Sequence, residues 1–271
     1  LGLVGESGCG KTTASKMVMR AFSADAGEIR LNDRGEDIDV RSLKGADLLA
    51  YRRKVQYIFQ DPFGSLNPRM TVFDIISEPL VIHNIGTEEE RFAKVKELVQ
   101  LVGLNVSFLR RYPHSFSGGQ RQRIAIARAI IAEPELIIAD EPLSALDVSI
   151  QSQILNLLMK LKKEQELTYL FISHDLASVA HIADRVIVMY LGQIIESGDS
   201  AQIFDNPGHP YTQALILAAP TVGKGKRQKG VSIQGETASP LSPPNGCCYH
   251  PRCPKMADSC AFDAPKLEPI G

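Results

Sequence analysis

The run Gly5-Glu6-Ser7-Gly8-Cys9-Gly10-Lys11-Thr12 constrains the fold more than any other part of this 271-residue chain. It fits the pattern G-x-x-x-x-G-K-[ST] in full. Apolar residues 1–4 precede it at strand length, and a helical stretch, 11–22, follows. In that setting the glycines let the backbone curl so that N–H groups point inward at phosphate oxygens, with the positive end of the helix dipole behind them. Lys11 is placed to reach β- and γ-phosphates, and the Thr12 hydroxyl to ligate Mg²⁺. The competing reading is an ordinary glycine-rich turn between strand and helix. Because residues 1–4 run straight into the loop with nothing ahead of them, the chain is expected to be a fragment.

Further short apolar runs at 54–59, 136–139, 169–172 and 185–189 read as strands. Helical stretches follow at 150–163 and 176–183; in the first, Ile150, Ile154, Leu157, Leu158 and Leu161 recur at helix spacing. Alternation of this kind predicts an α/β fold: a mostly parallel central sheet with helices on its faces, the architecture of P-loop NTPases. Residues 88–102 and 120–132 read as helices of a separate lobe, about 64–133, inside a domain spanning 1–206. Ten of the 16 prolines lie beyond residue 206 and four of the five cysteines between 247 and 260. An extension with a mobile linker (207–245) and a small Cys-rich unit (246–271) are therefore expected.

The strand at 136–139 ends in Asp140-Glu141, which delivers two carboxylates to the carboxyl edge of the sheet, where α/β proteins bind ligands. Asp140 is the candidate Mg²⁺ ligand and Glu141 the candidate base for an attacking water; the alternative is a solvated acidic turn. His174 and Gln60 hold the same edge position after two other strands. Either, taken alone, is equally readable as a structural residue. A second glycine pair, in Ser117-Gly118-Gly119-Gln120, opens a basic helix and suggests a second surface that grips phosphate.

With these residues assembled, the chain resembles the ATPase subunits of ATP-binding-cassette transporters. The resemblance rests on the phosphate loop 5–12, Gln60, the signature Ser117-Gly118-Gly119-Gln120, Asp140-Glu141, Ser144-Ala145-Leu146-Asp147 and His174, all in the family's order. It implies ATP and Mg²⁺ as cofactors, with Gly5, Ser7, Gly8, Cys9, Gly10, Lys11, Thr12 and Thr13 on one nucleotide face. The signature, Ser117 to Gln120, belongs to a partner's nucleotide. Thr12, Gln60 and Asp140 are implied as Mg²⁺ contacts, and Glu141, His174 and Gln60 as catalytic residues. Two cassettes would sandwich two ATPs and drive a membrane partner.

Gln60-Asp61-Pro62-Phe63-Gly64-Ser65-Leu66-Asn67-Pro68-Arg69, His209-Pro210-Tyr211-Thr212-Gln213-Ala214-Leu215 and the Cys-rich segment are similar to oligopeptide and dipeptide importer ATPases. The resemblance thus implies a second cassette, two integral membrane permease subunits and, indirectly, an extracytoplasmic solute-binding protein as partners. The expected location is the cytoplasmic face of the membrane. Two departures stand out: the family's adenine-stacking aromatic, upstream of the phosphate loop, is expected either to be lost with the fragment or to leave adenine poorly held, and Phe116 replaces the Leu more frequent in the family.

Cys247, Cys248, Cys253 and Cys260, with His250 among them, cluster as metal ligands do in a reducing compartment. The resemblance implies a [4Fe–4S] cluster on Cys247, Cys253 and Cys260; Zn²⁺ and no metal stay open beside it. A formal net charge of −1 gives no reason to expect nucleic acid, and no apolar run approaches the length that spans a bilayer. The competing functional class is a soluble cassette ATPase acting on DNA or the ribosome, but such chains carry long coiled-coil insertions or paired cassettes, absent here.

Overall fold

In chain order the first elements are β1 (Gly2–Val4), α1 (Lys11–Val18), β2 (Arg30–Asp33), β3 (Glu36–Asp39), α2 (Gly45–Lys54) and β4 (Val55–Ile58). Helices α3 (Val72–Ile82), α4 (Glu88–Leu101) and α5 (Gly118–Ile130) follow, then β5 (Leu136–Asp140), α6 (Val148–Glu164) and β6 (Thr168–Ile172). The last are α7 (Leu176–Ile182), β7 (Arg185–Tyr190), β8 (Gln193–Asp199), α8 (Ser200–Asp205) and α9 (Pro210–Ala218). These come from a computed structural model, which describes residues 1–33, 35–219, 235 and 238–269. The linker expected within 207–245 falls largely outside the described residues.

The chain divides into two compact units, Leu1–Lys11 with Phe171–Gly271, and Thr12–Leu170. In the first, β1 pairs in parallel with the end of β6 (Gly2 with Phe171) and with β7 (Gly2 with Val186). Val4, Val186, Val188 and Tyr190 are at most 1% exposed. Such two-sided burial is why these strands read as unbroken apolar runs. β8 adds an antiparallel edge to β7. The turn between them uses Leu191 and Gly192, both at positive φ, the backbone that two-residue hairpins require. Polar, half-exposed β8 lacked a strand signal, and so did the charged hairpin of β2 and β3.

In the second unit β4 and β5 pair in parallel, Val55 with Leu136 through Ile58 with Ala139. β1 thus pairs in parallel with β6 and β7, and β4 with β5, and helices follow β1, β4, β5 and β6, as the sequence predicts. Between β4 and β5 lie α3, α4 and α5, which pack on one another through Ile75, Ile76, Leu80, Val95, Val99, Ile124 and Ile126, all at most 1% exposed. Fully burying each such side chain stabilises by about 1.5–3 kcal/mol. Each of these helices starts with a reciprocal capping box: Thr71 with Asp74, Thr87 with Glu90, Ser117 with Gln120.

Candidate functional site

Gly5, Gly8 and Gly10 have φ of 151°, 81° and 101°. At Gly5 the glycine is obligatory, because a Cβ there would sit 2.1 Å from the Met189 carbonyl oxygen. The curled loop folds back on Lys11, whose Nζ donates to Gly5 O at 2.8 Å and Glu6 O at 2.9 Å. Cys9, 4% exposed, packs under the loop with Sγ 3.6 Å from Lys11 Nζ, so it fills space.

Across the Lys11–Thr12 peptide bond the chain enters the second unit. There the Thr12 hydroxyl donates to Asp140 Oδ1 at 3.1 Å, and the Tyr57 hydroxyl donates to Asp140 Oδ2 at 2.7 Å. Ser15 Oγ lies 2.9 Å from Tyr57 Oη. Asp140 is only 2% exposed, and hydrogen bonds to both its oxygens offset the cost of burying the charge. Burial above all pushes the Tyr57 pKa far up, so its hydroxyl remains a donor.

Gln60 Nε2 donates to Glu141 Oε2 at 3.0 Å, which leaves the amide oxygen as the Gln60 atom able to ligate a cation. Thr12, Asp140 and Gln60 therefore supply the oxygen donors that a hard cation such as Mg²⁺ takes. A cavity of about 380 Å³ is lined by Thr12, Lys16, Gln60, Gly64, Ser65 and Asp140, among others. Glu141 itself has φ 45°, a strained value for a non-glycine, and its carbonyl accepts from Ser144 Oγ at 3.0 Å. Thr13 follows in α1. His174 lies in the first unit, exposed, just after β6; the neighbouring Asp175 caps α7.

Ser117 is exposed at the N-cap of α5, where its Oγ accepts from Gln120 N at 3.4 Å. Gly118 and Gly119 form the first turn. A Cβ at Gly119 would approach Ile150 Cγ2 to 2.6 Å, so close packing of α5 on α6 by itself requires a glycine there. Phe116 is 5% exposed and meets Phe108 edge-on at 5.4 Å, filling the site where the family more often has Leu.

Among the described residues no group of three or more His, Cys, Asp or Glu side chains is placed to hold a metal. Cys247, Cys253 and Cys260 are thus not gathered around one point as a ligand set. Cys248 is buried, and desolvation pushes its thiol up to about 11. Two contributors escaped sequence reasoning. Tyr57 holds Asp140 and Ser15 meets the Tyr57 hydroxyl, and the local signal is that Tyr57 lies on the strand that leads to Gln60.

The chain matches the ABC transporter family over residues 1–144. It is 51% identical over 271 residues to the oligopeptide transport ATP-binding protein AppF of Bacillus subtilis, covering 99% of this chain and 81% of that one. This protein belongs to the ABC transporter ATPases. Beyond the cassette, residues 195–260 of this ABC ATPase match the C-terminal region of oligopeptide/dipeptide transporters. The dipeptide transport ATP-binding protein DppF of Haemophilus influenzae is 46% identical, with 99% of this chain and 81% of its own length covered. Among solved structures, the dimeric post-hydrolysis state of the ATP-binding cassette MJ0796, bound to ADP and Pi, superposes with a TM-score of 0.64 at 29% identity. The superposition covers 73% of this chain and 84% of that one. This ABC ATPase thus has the P-loop NTPase α/β fold, hydrolyses ATP and uses Mg²⁺. Among the described residues no helix is long and apolar enough to cross a membrane.

Proposed function

We propose that this ABC ATPase powers import of peptides, paired with a second cassette and two integral membrane subunits at the cytoplasmic face of the membrane. The observation that carries the ATPase site is the hydrogen bond from Thr12 to Asp140. It ties the end of the phosphate loop to the acidic strand end, the two parts a Mg²⁺–nucleotide site needs. Peptide as cargo is supported by the C-terminal region at 195–260 and by relatives named for oligopeptide and dipeptide transport. An extracytoplasmic solute-binding protein would deliver the cargo to the membrane subunits.

In this reading the loop N–H groups of Gly5 and of Ser7 to Thr13, with the Lys11 ammonium, hold the phosphates. Bound Mg²⁺ supplies neutralisation of developing phosphate charge. Thr12, Asp140 and Gln60 would hold it. Glu141 takes the proton of the attacking water as its oxygen bonds to the γ-phosphorus and the bond to the β–γ bridging oxygen breaks, giving ADP and phosphate. His174 holds the γ-phosphate, and Ser117 to Gln120 of each cassette complete the partner's site through the α5 dipole. Release of phosphate removes that contact and lets the pair open. No step runs through the cysteines.

The test is phosphate release by the full chain with its membrane subunits. Glu141→Gln should lose about 10²–10⁴-fold in rate and accumulate an ATP-bound cassette pair. Cells lacking the chain should lose uptake of a labelled oligopeptide, with rescue by wild type and none by Glu141→Gln. An undiminished rate in Glu141→Gln would overturn the catalytic assignment, and unimpaired peptide uptake the cargo.

A further inference from the structure

One residue of the phosphate loop is gripped twice by the C-terminal part of the chain. Arg252 makes a two-pronged ion pair with Glu6, Nη1 to Oε2 at 2.8 Å and Nη2 to Oε1 at 3.1 Å. The backbone N–H of the same Glu6 donates to Tyr211 Oη at 2.9 Å. These anchors are 246 and 205 residues away in sequence, and all three residues belong to one compact unit.

Both anchors are rigidly held. The Arg252 side chain is 6% exposed, and its Nη1 also donates to Tyr190 Oη at 3.2 Å. Tyr190, Tyr211 and Tyr249 are at most 1% exposed, and their rings meet at centroid distances of 4.7, 5.4 and 5.2 Å. Arg252 ends a short 3₁₀ turn, His250–Arg252, inside the Cys-rich segment. That segment is closed by Cys247 N donating to Cys260 O at 2.8 Å. Burial, the largest cause, pushes the Tyr211 pKa up and keeps its hydroxyl neutral beside the loop.

We propose that Arg252 and Tyr211 are positioning residues for nucleotide binding, through which the C-terminal segment sets the affinity of the phosphate loop. The inference rests on the nucleotide-site reading above. Two physical effects converge on Glu6. A carboxylate in a phosphate loop repels the phosphates it borders, and the guanidinium neutralises it. Gly5 and Gly8 flank Glu6 and Ser7 without a Cβ to restrict the backbone, so fixing Glu6 at main chain and side chain reduces the entropy lost when the loop closes on phosphate. Neither residue touches the reacting atoms, so the effect belongs in binding and not in the chemical step.

The test uses the full chain and equilibrium binding of a fluorescent ATP analogue, alongside steady-state hydrolysis. Arg252→Met should weaken nucleotide binding and raise KM for ATP about tenfold, the loss of one charge-assisted contact, with kcat within about twofold. Removing the uncompensated charge in the double variant Glu6→Gln/Arg252→Met should recover most of the affinity. Tyr211→Phe keeps the ring cluster, loses only the hydroxyl, and should weaken binding about threefold. Wild-type affinity in both single variants would overturn the inference. So would a proportional fall in kcat with no recovery in the double variant, which marks a merely structural role. Failure of the wild-type chain to bind the analogue at all would instead overturn the underlying nucleotide-site reading.

Discussion

Tyr57, on β4, donates its hydroxyl hydrogen to Asp140, at the end of β5, over 2.7 Å. The pair joins neighbouring parallel strands at the edge where the site is built. Asp140 thereby has one oxygen fixed by the core and the other turned to Thr12. Groups that orient a metal's ligands typically contribute 10–100-fold to metal affinity or activity. Tyr57→Phe should therefore raise the Mg²⁺ concentration needed for half-maximal hydrolysis about tenfold while the fold persists. A Mg²⁺ titration of the variant checks this, and a curve superposing on wild type refutes it.

What could be read from the sequence was local. The loop 5–12 and the pair Asp140-Glu141 announce themselves because their chemistry depends on consecutive residues at the end of a strand. Gly119 was legible as a glycine, yet part of its reason, the approach of Ile150, lies thirty-one positions away in sequence and needed the packing of α5 on α6. Tyr57 with Asp140, and Arg252 with Glu6, are separated by 83 and 246 residues, and no periodicity encodes such contacts. β8 escaped because an edge strand facing water has no apolar alternation to report.

Gly119 offers a test of that packing. Its missing Cβ is where Ile150 Cγ2 of α6 lies, and a methyl at 2.6 Å forces one partner aside. Gly119→Ala should destabilise the chain by about 1–3 kcal/mol, as overpacking does, despite the higher helix propensity of alanine. Trimming the obstacle in Gly119→Ala/Ile150→Ala should recover part of the loss. Urea unfolding of the two singles and the double yields the coupling; additive losses would show that the two positions do not meet.

The start of α9 should respond to pH. His209 Nδ1 accepts the Tyr211 N–H at 3.0 Å, which only an unprotonated nitrogen can do. Burial lowers the His209 pKa from the ordinary 6.5, with the nearby Glu196 charge opposing. Below 6.5 the unfolded chain binds a proton that the folded chain resists, so this stabilisation is complete above 6.5 and is lost as pH falls. The cap is worth about 0.5–2 kcal/mol. Hydrogen exchange should show the Tyr211 amide losing protection on acidification from neutral pH, and His209→Asn, which caps without titrating there, should flatten the profile. A Tyr211 amide equally protected in acid would count against the cap.

Glu141 holds φ at 45°, where a side chain costs energy that glycine does not bear. Its carboxylate accepts a hydrogen bond from Gln60 Nε2 at 3.0 Å. Comparing Glu141→Gly with Glu141→Ala removes the carboxylate in both and varies only the tolerance of the backbone. Glycine should be the more stable by about 1 kcal/mol in urea unfolding, although its unfolded chain is the more flexible. Both variants should be catalytically dead, so stability and activity would move independently at one residue. Equal stability of the two would mean that the turn at Glu141 relaxes once the side chain is gone, and that the carboxylate itself imposes the strained backbone.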